Sequence, residues 1–309
     1  MASIRARRLP DIIATMNTTS RLVAAASFGC AVLCSGVAAV AQTQSSPAPA
    51  ISPTPAASAT PSAPSDPCGS ILSIVNRPTF GTGVCTVRTG HFDIENGYTN
   101  TVTTGPGGGN TATYPQSLIR IGTLDPHLDF EVGPISENHS SVGGIAADGM
   151  SDLALGAKYE LGYSSSADWG LNAVVTLPTG AKAFSAGNAQ FTGNFNWGYT
   201  INSEFSLSGT LGFNALSGYN SGGLAQSYFA FTPTLEASAA LPGGPSQICA
   251  EYAYFSQAGP NLGSKSFVDF IYQRDFGSHV QFDVEYGFQP TVINGQKEHY
   301  LGAGLSFMN

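Results

Sequence analysis

The sequence predicts an all-β protein, an antiparallel up-and-down transmembrane β-barrel of twelve strands. Three observations carry that prediction. The hydrophobic period is two residues rather than 3.6 over most of the chain. The connections between apolar stretches alternate between short and long. Charged residues make up only 10% of the 309 residues, while mean hydropathy is near zero at +0.04. A soluble domain carries about 25% charge. A polytopic helical membrane protein would show repeated apolar runs of about 18 residues or more. Strands with one apolar and one polar face produce both averages at once. The 32 aromatic residues argue against a disordered chain, and the net charge of −8 argues against a nucleic-acid binder.

The N-terminal stretch has the form of a targeting segment. Arg5, Arg7, Arg8 and Arg21 precede an apolar run at 22–40, and Ala39-Val-Ala41 offers a cleavage site after Ala41. Residues 1–41 are therefore read as a cleaved signal peptide, with Met16 as an alternative start. Its removal leaves 8 basic against 19 acidic residues, a net charge of −11. Residues 42–83 are read as a disordered linker and N-terminal segment, because 42–67 is almost wholly Ala, Pro, Ser and Thr. Three cysteines remain, Cys68, Cys85 and Cys249. A Cys68–Cys85 bridge suits an oxidising periplasm, but an odd number leaves the pairing open.

The barrel is assigned to 84–309. Its strands are expected near 86–98, 115–123, 127–136, 151–163, 168–178, 189–199, 203–214, 226–240, 246–256, 265–276, 280–289 and 299–307. Trp169, Leu171, Ala173 and Val175 alternate with Gly170, Asn172 and Val174. Val280, Phe282, Val284 and Tyr286 alternate with Gln281, Asp283 and Glu285. The 265–276 strand has no clear phase, since Phe267, Val268, Phe270, Ile271 and Tyr272 fall on both faces. Long loops are expected at 99–114, 137–150, 179–188, 215–225, 257–264 and 290–298, all on the extracellular side if the N-terminus is periplasmic.

The strand charges fall on the polar face. Asp93, Glu95, Arg120, Asp129, Glu131, Asp152, Lys158, Glu160, Glu204, Glu236, Glu251, Asp283 and Glu285 are the candidate lumen-facing, selectivity-setting residues, with Arg274 as a further balancing cation. An acidic lumen favours cations or neutral solutes over anions. Outward aromatics such as Trp169, Trp197, Tyr199 and Phe213 are read as interface girdles, whereas Tyr228 and Phe267 are candidate inward aromatics. No catalytic residue, metal ligand or cofactor is expected. None of the five histidines has a Gly-x-Ser-x-Gly neighbour, and His-Glu-x-x-His is absent. The expected partners are outer-membrane lipid and, through a last strand ending on Phe307, the barrel-assembly machinery; no nucleic acid is expected. Met308 and Asn309 follow Phe307, a departure from the usual ending.

Three segments carry a family resemblance. They are Ser-Asp-Leu-Ala-Leu-Gly-Ala-Lys-Tyr at 151–159, the stretch 171–180 ending in Leu-Pro-Thr-Gly, and 194–213 with its Trp-Gly-Tyr and Gly-Thr-Leu-Gly-Phe. In order and spacing they resemble the outer-membrane family labelled "putative MetA-pathway of phenol degradation", over roughly 88–307. The resemblance implies an outer-membrane transporter barrel of a Gram-negative bacterium, sometimes encoded beside aromatic-degradation enzymes. It supplies no agreed ligand-binding residues. The expected function is therefore that of a channel for small solutes, extended by the resemblance to aromatic or hydrophobic ones. The alternative is a non-conducting structural or surface-adhesive barrel.

Overall fold

The computed structural model describes residues 66–220 and 223–309. The expected signal peptide and the linker up to residue 65 lie outside the described residues.

A short helix, α1 (Ile71–Ile74), comes first. The strands follow: β1 (Phe92–Thr104), β2 (Gly109–Gly122), β3 (Leu128–Val142), β4 (Ile145–Met150), β5 (Leu153–Tyr163), β6 (Ala167–Leu177), β7 (Gln190–Thr200), β8 (Phe205–Tyr219), β9 (Ala225–Ala240), β10 (Ser246–Phe255), β11 (Lys265–Phe276), β12 (Val280–Phe288) and β13 (Lys297–Met308). Neighbours in sequence pair antiparallel, with one departure. β3 pairs with β4 over its last third and with β5 over its first third. β1 closes the ring against β13, from Asp93 opposite Met308 to Thr104 opposite Lys297. Among the described residues, twelve strands form the closed barrel and β4 is an extra strand at its long-loop end. Closure leaves no strand edge in lipid with unpaired backbone groups.

The two faces separate as the period of two requires. On β6, Leu171, Ala173 and Val175 are exposed, while Gly170 and Asn172 are buried. Phe130, Phe213, Leu235 and Leu301 are each half or more exposed, whereas Arg120 and Lys158 are fully buried. A closed barrel with apolar side chains outside and charges inside is matched to a bilayer, where a mid-membrane Arg or Lys on the outer face costs ~2–4 kcal/mol.

Three boundaries differ from expectation. The first strand starts at Phe92, not at 86. Val84, Cys85, Thr86 and Val87 are all buried, so they lack a two-faced pattern. These residues pass inside the barrel rather than through its wall. The expected loops at 99–114 and 137–150 are largely strand, since β1 and β2 meet at a turn of four residues and β3 continues to Val142. Those extensions are rich in Thr, Asn and Ser on both faces, as suits strands that project beyond the hydrocarbon.

Candidate functional site: the lumen and its insert

Residues 66–91 enter the barrel from the short-turn end and fill part of the lumen. A disulfide between Cys68 and Cys85 closes a loop with a sequence separation of 17. Cys68, Ile74, Cys85 and Val87 form a small apolar core against Met308. A loop of this size gives a crosslink worth about 3 kcal/mol in the chain-entropy account. The variant Cys68→Ser/Cys85→Ser is expected to keep a heat-resistant barrel while residues 66–91 become sensitive to added protease, as read by mass spectrometry of the fragments.

The deepest layer is built on Arg120 of β2. Its guanidinium donates to the carbonyl oxygens of Ile74 and Cys85, and to Asp129 Oδ2 at 2.6 Å. The carboxylates of Glu95, Asp93 and Glu131 stand 3.8–3.9 Å away. The pairing follows from register, because Arg120 lies opposite Asp93 on β1 and Glu131 on β3. Arg120 thus ties barrel wall to insert, and the five-donor guanidinium fork is suited to several acceptors at once. Beside it, Lys158 Nζ donates to Asn76 Oδ1 at 2.7 Å, and Arg88 of the insert pairs with Glu160 at 3.0 Å.

Carboxylates of the wall also hold the insert backbone. Glu95 accepts the amides of Asn76 and Arg77 at 3.0 and 2.9 Å. Glu251 on β10 accepts those of Phe80 and Gly81, both at 2.7 Å. Asp129 accepts the amide of Val87 at 2.8 Å. Arg77 reaches Gln116 at 3.0 Å and Asp283 at 3.4 Å. It lies where a side chain at Gly97 would sit, since a Cβ there would come within 2.1 Å of the guanidinium carbon. No residue other than glycine leaves that space free.

The tip of the insert carries Phe80. Its ring stacks on Phe267 of β11 at 5.2 Å and meets Phe255 and Tyr300 edge-on at 5.9 and 6.1 Å. The Tyr300 hydroxyl donates to Asp269. At the rim, Lys265 pairs with Glu298 at 2.6 Å. Phe255, Phe267 and Tyr300 all lie near the long-loop ends of their strands, so this cluster faces the outer half of the lumen.

Space remains beside the insert. A cavity of about 270 Å³ runs between the insert and a polar wall that includes Ser206, Ser208, Glu236 and Ser238. A second, of about 140 Å³, lies beyond it among Thr192, Asn194, Asn214 and Thr232. Thr210 and Thr234 line both. At that level the Thr82 amide donates to Thr210 Oγ1 at 3.0 Å, which narrows the way between them.

Most candidate residues from the sequence lie on the inner face. Asp93, Glu95, Arg120, Asp129 and Glu131 form one cluster, and Lys158, Glu160, Glu251 and Asp283 each contact the insert. Glu236 bonds to Ser238 at 2.7 Å in the side cavity, and Glu285 receives the Thr99 hydroxyl at 3.3 Å. Asp152 instead caps the loop after β6, through the amides of Gly180 and Ala186. Glu204 is exposed in the turn before β8 and takes no part in the lumen. Arg274 is exposed on the outer face, over the Phe276 ring at 5.7 Å, and does not balance the lumen acids. Sequence reasoning missed Arg77, Phe80, Lys265, Asp269 and Glu298. It would have found the last three had the phase of β11 and the start of β13 been fixed. Phe267 is inward and 6% exposed, while Tyr228 is only partly buried.

Fold and lumen define a closed β-barrel of the outer-membrane type. The chain belongs to the family described as "Putative MetA-pathway of phenol degradation", which matches residues 75–306 and so takes in the insert from Val75 onward. Among solved structures, the barrel is similar to an outer membrane channel from Pseudomonas putida F1, at 12% identity and a TM-score of 0.57, covering 73% of this chain and 98% of that one. It is also similar to the NanC porin, at 10% identity and a TM-score of 0.47, covering 70% of this chain and 98% of that one. No curated protein matches the chain.

Proposed function

We propose that the protein passes small solutes across the outer membrane of a Gram-negative bacterium, aromatic or hydrophobic ones among them. The observation that carries the reading is the aromatic cluster Phe80, Phe255, Phe267 and Tyr300, set inside an otherwise polar lumen. Inward aromatic side chains have no role in facing lipid. Placed at the outer entrance, they offer a first contact for an apolar ring. The family description, with its reference to phenol degradation, supports the same reading.

The wall acids set a second expectation. Asp93, Glu95, Asp129, Glu131, Glu251, Asp269, Asp283 and Glu285 are buried inside, against Arg120 and Lys158 of the wall and Arg77 and Arg88 of the insert. Such a surplus of carboxylates draws cations and repels anions. Planar-bilayer reversal potentials should therefore show a cation preference, and clear anion selectivity would sink that part of the reading. Uptake of phenol or toluene into liposomes containing the protein tests the reading as a whole. A rate equal to that of empty liposomes would favour the alternative, a non-conducting barrel. The last strand, with Phe307 exposed on the outer face, is proposed as the segment engaged by the assembly machinery.

A further inference from the structure

We infer that Phe80, Phe267, Tyr300 and Glu285 form a subsite for one aromatic ring bearing a hydrogen-bond donor, and that this subsite turns aromatic carboxylates away. The inference rests on the proposed passage of aromatic solutes and adds the class and the residues that select it.

The four residues line one cavity of about 270 Å³ at the outer side of the insert. An apolar cavity of about 150 Å³ is enough to take up benzene, so this one holds a single substituted ring. Phe80 is 39% exposed although its backbone is fixed, so one face of its ring is presented rather than packed away. Offset and edge-to-face contacts to Phe80, Phe267 and Tyr300 supply the ring recognition.

The polar side of the cavity decides the substituent. Arg77 is engaged by Gln116, Asp283 and the carbonyl oxygen of Ala303. Glu298 is paired with Lys265. Glu285 differs from both. It receives only the Thr99 hydroxyl at 3.3 Å, and no cation stands within salt-bridge distance of it among the described residues. A carboxylate has about four acceptor sites, so most of its capacity is unused. A phenolic O–H or an aromatic ammonium can donate to it. A carboxylate substituent has no proton to donate near neutral pH and so cannot make that bond.

The backbone fixes this arrangement. Glu285 lies opposite Gly302, where a Cβ would come within 2.1 Å of Glu285 Oε1, so the neighbouring strand leaves room for the carboxylate. Phe80 is held from behind by the hydrogen bonds that its own amide and that of Gly81 donate to Glu251. The ring floor thus belongs to the insert, and the acid belongs to the wall.

The test uses the full-length protein in detergent, titrated calorimetrically with phenol, benzylamine and benzoate. Wild type should bind phenol and benzylamine at least tenfold more tightly than benzoate. Glu285→Gln should bring benzoate to within about threefold of benzylamine. Phe80→Leu should weaken phenol and benzylamine about tenfold. Equal binding of benzoate and benzylamine by wild type would overturn the inference, as would an unchanged ratio in Glu285→Gln. Should Phe80→Leu disturb the insert, Glu285→Gln, which touches no insert backbone, still decides it. Liposome uptake of phenol by wild type separates the two readings. Uptake without the expected binding pattern overturns the subsite and leaves the channel standing, whereas binding without uptake removes the channel.

Discussion

Arg120→Met is expected to destabilise the barrel strongly, through its short-turn half. The guanidinium is fully buried and faces four buried carboxylates, Asp93, Glu95, Asp129 and Glu131, the first three of them with no exposed surface. It also holds two carbonyl oxygens of the insert. Removing one partner from a buried ion pair costs ~3–5 kcal/mol, because the remaining charge loses its compensation. Here the loss falls on several acids together, which makes the upper end of that range the expectation. The urea midpoint of the refolded barrel should fall, and the heat-modifiable band on a gel should weaken. Arg120→Lys should recover little, since one ammonium cannot serve Asp129 and both carbonyls in the guanidinium geometry. Adding Asp129→Asn to Arg120→Met should restore part of the stability, because it removes one of the stranded charges.

Glu95→Gln/Glu251→Gln is expected to act mainly on the insert. Each acid accepts two insert amides with its two carboxylate oxygens. A glutamine offers one oxygen and turns an N–H₂ group toward the second amide. Hydrogen bonds to a charged group contribute ~1.5–3 kcal/mol each, so the pair of substitutions removes a large share of the hold on residues 76–81. The β ladders around the barrel stay intact. Single-channel conductance should rise several-fold over wild type, because the Thr82–Thr210 contact that narrows the lumen depends on the same segment. Unchanged conductance would mean that the insert does not set the width of the passage.

The strands were readable from the sequence because two solvents act on them. Lipid on one side and a polar lumen on the other impose a period of two, and β6, β7, β8 and β12 carry it almost without exception. β11 was the exception, and the reason is local. Phe267 and Ile271 are inward and apolar, and Phe267 lies against Phe80 of the insert rather than against water. Where the insert presents an aromatic ring rather than backbone amides, the inner face turns apolar. The insert itself was invisible for a related reason. Between Asn76 and Val87 it is surrounded by barrel wall on several sides, so no face is marked by solvent, and its Pro78, Gly81 and Gly83 read as loop. The composition supplied one clue, the Cys68–Cys85 spacing that left a bridge open. Asn76, Arg77 and Phe80 gave none, because their partners Glu95, Lys158, Glu251 and Asp283 stand on separate strands, 18 to 206 residues away in sequence.

The low charge content acquires a sharper meaning from this arrangement. Half of each strand faces lipid and carries little charge, with Arg274 of β11 an exception. The remainder is concentrated inside, where Glu95, Asp129 and Glu251 are occupied with the backbone of a single segment. The lumen acids therefore serve first to seat the insert, and only those left over, Glu285 and Glu236 among them, face the space that a solute would use.

Amide hydrogen exchange of the folded full-length protein tests the docked insert most directly. Peptides covering residues 76–87 should exchange as slowly as peptides from β10 and β12, because the amides of Asn76, Arg77, Phe80, Gly81 and Val87 are bonded to carboxylates inside the barrel. Exchange of that segment within seconds, at the rate of an unstructured chain, would contradict the account.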